Sequence, residues 1–146
     1  MNAVSRTTRP ILSALCAAAV ISLAAYSSLA IGADVKVTLS GDQEVPPVKT
    51  AASGSGTISV GADKSVRGSV TTTGVAGTMA HIHDAPPGKN GGVAVPLAKS
   101  GDSTWSVPAG AKLTDAQYES FKAGNLYVNV HSAANPGGEL RGQLKP

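Results

Sequence analysis

The sequence predicts an antiparallel all-β fold, either a sandwich or a barrel, with one short helix. Two observations predict the strands. From Ala33 onward, apolar and polar residues alternate in short runs, and alternation with a period of two is typical of strands that bury one face. Glycine, proline, aspartate and asparagine separate these runs, as they do in all-β proteins with short connections. A single capping-box pattern predicts the helix.

The strands can be assigned in order along the chain. Val35, Val37 and Leu39 alternate with polar residues in the first run. Residues 57–60 and 66–72 then flank the four-residue loop 61–64, which predicts a hairpin. Three further strands are expected at 78–83, 93–97 and 103–107, and a final hairpin at 126–131 and 139–144. Pro96 interrupts the fifth run and indicates an edge or a bulge there, because proline cannot donate a ladder hydrogen bond.

The helix is expected between the sixth strand and the final hairpin. Thr114 and Gln117 form the capping box, and Gly124 ends the segment, so the helix has two to three turns. Tyr118 and Phe121 are spaced i, i+3 and lie on one face. We expect this face to anchor the helix on the core, and a docking role for the two aromatic residues is the alternative.

The first 30 residues have the organisation of a signal peptide. Arg6 and Arg9 form a basic start, residues 11–25 are apolar, and Ser28 and Ala30 are small residues at the positions that a signal peptidase requires. We expect cleavage after Ala30, an exported domain over residues 31–146, and a periplasmic or secreted location. An uncleaved membrane anchor is the alternative, although the apolar run of about 15 residues is short for a transmembrane helix.

Composition restricts the function further. The chain has one cysteine, Cys16, which lies in the predicted leader, so the exported domain has no disulfide and no thiolate ligand. Two of the twelve basic residues also lie in the leader, and the remaining net charge is near +1. This charge gives no reason to expect nucleic acid or an anionic membrane as a partner.

All three histidines lie in strand-like segments. His81 and His83 point to the same face of their strand and Ile82 to the other, so the two imidazoles form a possible two-nitrogen chelate. In the later segment Val128 and Val130 are expected in the core, which places His131 on the opposite face with Tyr127, Asn129 and, from the last strand, Glu139, Arg141 and Gln143.

This spacing leaves two interpretations open. Three imidazoles from two strands are a recurrent ligand set for zinc and copper. Alternatively, each histidine stabilises the end of a strand by a hydrogen bond to a loop carbonyl or to a carboxylate such as that of Glu139. A hydrolytic triad is disfavoured because Ser132, next to His131, lacks the setting of an activated nucleophile.

Four segments of the sequence resemble the chordin-type (CHRD) domain family, in its bacterial, stand-alone exported form. They are LSGDQEVPP at 39–47, AHIH at 80–83, YVNVH at 127–131 and NPGGELRGQL at 135–144. They appear in the family's order and span almost the whole exported part. The resemblance implies an immunoglobulin-like or superoxide-dismutase-like Greek-key β-sandwich, and we therefore expect an antiparallel β-sandwich with one short helix.

The resemblance implies no established activity. The His-Ile-His step is also similar to the copper-binding step of copper/zinc superoxide dismutases, although three histidines without a cysteine cannot supply that family's full metal set. We expect an exported β-sandwich that binds copper, rather than zinc, through His81, His83 and His131. Glu139 is expected to orient one imidazole. The alternatives are a non-catalytic protein-interaction module with structural histidines and a copper redox enzyme.

Overall fold

The computed structural model describes residues 32–146, so the predicted signal peptide and Cys16 lie outside the described residues. The described residues form eight β-strands, one α-helix and a 3-10 helix at Gly41–Gln43. The strands are β1 (Ala33–Ser40), β2 (Ser53–Val60), β3 (Val66–Thr73), β4 (Gly77–Asp84), β5 (Gly92–Lys99), β6 (Thr104–Ser106), β7 (Leu126–Ser132) and β8 (Leu140–Leu144). The helix α1 (Asp115–Lys122) lies between β6 and β7.

The eight strands form one closed antiparallel barrel in the order β1, β2, β3, β6, β5, β4, β7, β8. The predicted β-sandwich is therefore wrong, because a sandwich keeps two separate sheets with unpaired edges. Three short pairings close the barrel. All three residues of β6 pair with β3, two of them also pair with β5, and Ser40 of β1 pairs with Arg141 of β8. Pairings of one to three residues are too short to leave a periodic pattern in the sequence.

The apolar members of each alternating run fill the barrel interior. Trp105 is 3% exposed, which confirms that its strand turns the indole inward. Removing such side chains from water stabilises the fold by about 25 cal/mol per Å² of apolar surface. The most deeply buried apolar side chains are Leu39, Ile58, Val70, Ile82, Leu126, Val128, Val130, Leu140 and Leu144.

The predicted hairpin and helix are both present. The backbone N–H of Gly61 donates to the carbonyl of Ser65 at 2.8 Å and closes the turn between β2 and β3. At the helix, Thr114 Oγ1 accepts from the Gln117 N–H at 3.2 Å, and the Gln117 side chain accepts from the Thr114 N–H at 2.9 Å. The capping box is thus confirmed. No helix within residues 32–146 is long and apolar enough to cross a membrane.

At Pro96, β5 is paired with a neighbouring strand on one side only. Pro96 pairs with His81 of β4, whereas the pairing of β5 with β6 is limited to Ala98 and Lys99. A register shift next to His83 also places a bulge in this part of the β4–β5 ladder. Both features agree with the prediction of an edge or a bulge.

The outer face of β7 is covered by loops, and every residue of β7 is buried. Asn129 on this face donates to the buried carboxylate of Glu44, which follows the 3-10 helix. Arg141 of β8 donates to the carbonyls of Lys89 and Pro86 in the β4–β5 loop, at 2.8 and 3.1 Å. The polar face expected from alternation is therefore present, but much of it lies beneath loops rather than in solvent.

Candidate metal centre

The barrel brings the three histidines together on its outer face. His81 and His83 come from β4 and His131 from the neighbouring β7, and the two strands are hydrogen-bonded along their length. One ring nitrogen of each histidine lies within 4.8 Å of those of the other two. The arrangement agrees with the shared face predicted from alternation.

Backbone carbonyls fix the tautomers of two of the rings. His83 Nδ1 lies 3.0 Å from the carbonyl oxygen of Gly91, and His131 Nδ1 lies 2.9 Å from that of Pro136. A carbonyl oxygen only accepts, so both Nδ1 atoms carry the proton. In a neutral imidazole the other nitrogen, Nε2, then presents its lone pair. This is the arrangement that metal-binding histidines use, with one nitrogen held by the protein and the other directed at the ion.

The Nε2 atoms of His131 and His83 have different surroundings. His131 Nε2 lies 3.1 Å from His81 Nδ1, and because Nε2 is the acceptor, His81 Nδ1 is the donor of this hydrogen bond. His83 Nε2 is buried and has no hydrogen-bond partner among the described residues. Buried polar atoms are nearly always paired, so a lone pair left free in this position requires an explanation.

The distances between the ring nitrogens of the three histidines are close to those in a metal site. Two nitrogens bound at about 2.0–2.1 Å to a tetrahedral ion lie about 3.3 Å apart. His81 Nδ1 and His131 Nε2 are 3.1 Å apart, which is close to this spacing, and His81 would bind through Nδ1 in the tautomer that carries its proton on Nε2. The set of three, within 4.8 Å of one another, requires only a small approach by the third ring to complete a three-nitrogen site.

The His83 ring is held in a stack of side chains that includes Tyr127 and Arg141. The rings of His83 and Tyr127 are parallel within 11°, with their centroids 5.0 Å apart. The guanidinium carbon of Arg141 lies 3.6 Å from the centroid of the Tyr127 ring. Tyr127 also accepts a hydrogen bond through its hydroxyl from the Gly91 N–H at 3.2 Å, so one residue contacts both the ring and the loop that orients it.

Gly91 is required by this arrangement. A Cβ at position 91 would lie 1.9 Å from the carbonyl oxygen of Asp84, which no side chain tolerates. The loop therefore approaches the end of β4 closely enough for the Gly91 carbonyl to reach His83. Neither Gly91 nor Tyr127 was predicted to belong to the site, and only the observation that Tyr127 shares the face of His131 pointed toward it.

Glu139 does not orient a histidine. Its carboxylate accepts hydrogen bonds from the hydroxyls of Ser132 and Thr50, and the latter is 2.8 Å long. These bonds, first that from Ser132, hold the pKa of Glu139 below its ordinary value. The expectation that Glu139 contacts an imidazole is wrong, and the Pro136 carbonyl orients His131 instead.

Burial favours the neutral forms of His81 and His83. It lowers the pKa of His81, and the neighbouring His131 and His83 lower it further. Burial also lowers the pKa of His83, against the opposing effect of the hydrogen bond to Gly91, and the charges of His131 and Arg141 act in the same direction as burial. The lowered pKa values favour neutral imidazoles at His81 and His83, which is the form that binds a metal ion.

The fold and the site together define a small antiparallel barrel domain with a three-histidine group that could hold a metal ion. The model of the CHRD domain matches residues 35–144, and the chain belongs to this family. No curated protein and no solved structure matches the chain. CHRD domains occur in secreted proteins, and membership suggests a β-rich protein-interaction module.

Proposed function

We propose that this CHRD domain binds a copper ion outside the cytoplasm through His81, His83 and His131. His81 and His83 supply two nitrogens from one strand, and His131 supplies the third from the adjacent strand. Residues 1–30 act as the export signal in this proposal. N-terminal sequencing of the exported protein tests that part, with Ile31 as the expected first residue.

The observation that carries the proposal is the buried, unpaired Nε2 of His83. The protein holds the opposite nitrogen of the same ring with the Gly91 carbonyl and stacks the ring on Tyr127. A purely structural role accounts for the first of these contacts and does not account for the buried lone pair on the opposite nitrogen. A metal ion would satisfy that lone pair, and it would bind His131 Nε2 in place of the hydrogen bond that this atom now accepts from His81 Nδ1.

Two arguments support copper over zinc. Divalent copper binds a given nitrogen site more tightly than zinc in the general order of affinities. Export also removes the protein from the reducing conditions and metal buffering of the cytoplasm. Three imidazoles leave a further coordination position for water or another ligand, because both ions commonly take at least four ligands.

Metal analysis of the protein, expressed without a histidine tag and purified without chelators, tests the proposal. We expect close to one equivalent of copper in the wild type and much less in His83→Gln, which keeps a polar side chain of similar reach. Lys99→Gln, an exposed substitution on β5, is the control and should retain the wild-type content. Equal metal content in the wild type and His83→Gln would contradict the proposal.

A non-catalytic protein-interaction module is the second candidate function. It is favoured by a cavity of about 440 Å³ beside Glu44, where Val45, Pro47 and Pro87 provide an apolar wall and Lys145 a charged rim. This candidate assigns the histidines a structural role. It predicts that His83→Gln changes the stability of the protein without changing its metal content, so the same metal analysis distinguishes the two functions.

A further inference from the structure

Met79 borders the histidine cluster and is exposed to solvent. It is one of two large apolar side chains that are exposed among residues 32–146, with 50% of its surface accessible. It precedes His81 by two positions on β4, so it points to the same face. It is also paired directly with His131 across the β4–β7 ladder. Residues paired in this way have Cβ atoms about 4.5–5.5 Å apart.

We propose that the thioether of Met79 is the fourth ligand of the site and gives it a preference for cuprous copper. This inference rests on the proposed function. Thioether sulfur is a soft donor that suits Cu(I), whereas Zn(II) is bound mainly by imidazole, thiolate and carboxylate. The methionine side chain is unbranched and flexible, so its sulfur can move from solvent to an ion held by the neighbouring rings.

Differences in solvent exposure show which side of the histidine cluster is open. His83 and His131 are 9% and 7% exposed, and Tyr127 covers the His83 ring, so the side of the cluster formed by these two histidines is closed to solvent. His81 is partly exposed and Met79 is half exposed, so the site opens toward Met79. A fourth ligand from the protein is therefore available on the open side, where water is the alternative donor.

The chain offers a clean test because sulfur is scarce. Its sulfur-containing residues are Met1, Cys16 and Met79, and Met79 is the one that lies in the described part. Val93 is a matched control because it is the other exposed large apolar residue, at 52%, and it is paired with His83 on the opposite side of β4. Val93 has no donor atom in its side chain.

The experiment uses the full chain with Cys16→Ser as the background. Affinity for Cu(I) is measured by competition with a chromophoric chelator under anaerobic, reducing conditions, and affinity for Zn(II) by a parallel competition. Met79→Leu should weaken Cu(I) binding on the order of tenfold or more and leave Zn(II) binding nearly unchanged. Val93→Ala should change neither affinity. X-ray absorption should detect a sulfur neighbour of copper in the background protein and none in Met79→Leu.

The outcomes separate this inference from the proposed function. Unchanged Cu(I) affinity in Met79→Leu, with binding lost in His83→Gln, overturns the role of Met79 and leaves the three-histidine site intact. Binding of Cu(II) without any binding of Cu(I) also overturns the role of Met79 and leaves the three-histidine site intact. Failure of the background protein to bind either Cu(I) or Cu(II) overturns both proposals. Circular dichroism of each variant establishes that the barrel is still folded.

Discussion

The ring of His83 lies parallel to that of Tyr127, with the two centroids 5.0 Å apart. His83 and Tyr127 are paired across the β4–β7 ladder, so the strand register itself produces this contact. Arg141 covers the far side of the Tyr127 ring and also binds the β4–β5 loop. The orientation of one candidate ligand thus depends on a stack that reaches from β4 to β8.

Replacement of Tyr127 should therefore weaken metal binding without removing a ligand. We expect Tyr127→Leu to lower Cu(II) affinity on the order of tenfold, the usual effect of losing a group that orients a ligand. Tyr127→Phe keeps the stacked ring and loses only the hydrogen bond from Gly91, so its affinity should stay close to that of the wild type. Isothermal titration of both variants measures the effect. Equal losses in the two would show that the hydroxyl, rather than the stacked ring, orients His83.

The metal-free protein should lose stability as the pH falls below about 6.5, the ordinary pKa of histidine. In the folded state the pKa values of His81 and His83 are lowered, chiefly by burial. The unfolded chain therefore binds protons first as the pH falls, and its greater proton uptake favours unfolding until the pH drops through the lowered pKa values. Above the ordinary pKa these groups add no pH dependence.

Urea denaturation in the presence of a chelator, at several pH values between about 7 and about 5, measures this effect. His83→Gln removes one of the two groups, so the free energy of unfolding should depend less steeply on pH in this variant. An equal dependence in the wild type and the variant would mean that His83 is protonated as readily in the folded state as in the unfolded state.

Trp105 should be the residue whose truncation costs the barrel most. It is 3% exposed and belongs to β6, the strand that joins β3 to β5. Trp105→Ala should lower the free energy of unfolding by about 3–5 kcal/mol by leaving a cavity. Trp105→Phe should cost less, because the indole N–H is buried without a hydrogen-bond partner among the described residues and phenylalanine has no polar group to bury.

Denaturation followed by circular dichroism compares these variants with Thr104→Ser, a change at a half-buried neighbour that should cost about 0.5 kcal/mol or less. A Trp105→Ala midpoint equal to that of the wild type would contradict the prediction and would show that burial of the indole contributes little to stability.

Alternation alone predicted most strands and the grouping of the histidines. It was sufficient because β4 and β7 are regular from residue 79 to 84, so faces counted from the sequence match faces in the structure. It failed where the pattern is too short or absent. The strand β2 begins at Ser53, earlier than predicted, because Ser-Gly-Ser-Gly carries no apolar side chain to mark it.

The surroundings of the ligands were harder to predict than the ligands themselves. Two backbone carbonyls, those of Gly91 and Pro136, orient His83 and His131, and a carbonyl leaves no trace in residue identity. Glu139 was placed on the histidine face by counting back from Leu140. The strand β8 begins at Leu140, however, so Glu139 lies in the preceding loop and binds Ser132 instead. Alternation does not extend past the end of a strand.

Titration calorimetry with Cu(II) tests the three-histidine site most directly, using the wild type and the variants His81→Ala, His83→Ala and His131→Ala. We expect one strong site in the wild type and weaker binding in each variant. Combined substitutions should cost less than the sum of the single ones, because the three rings act as one chelate. Equal Cu(II) affinity in all four proteins would contradict the account and would leave the histidines with a structural role.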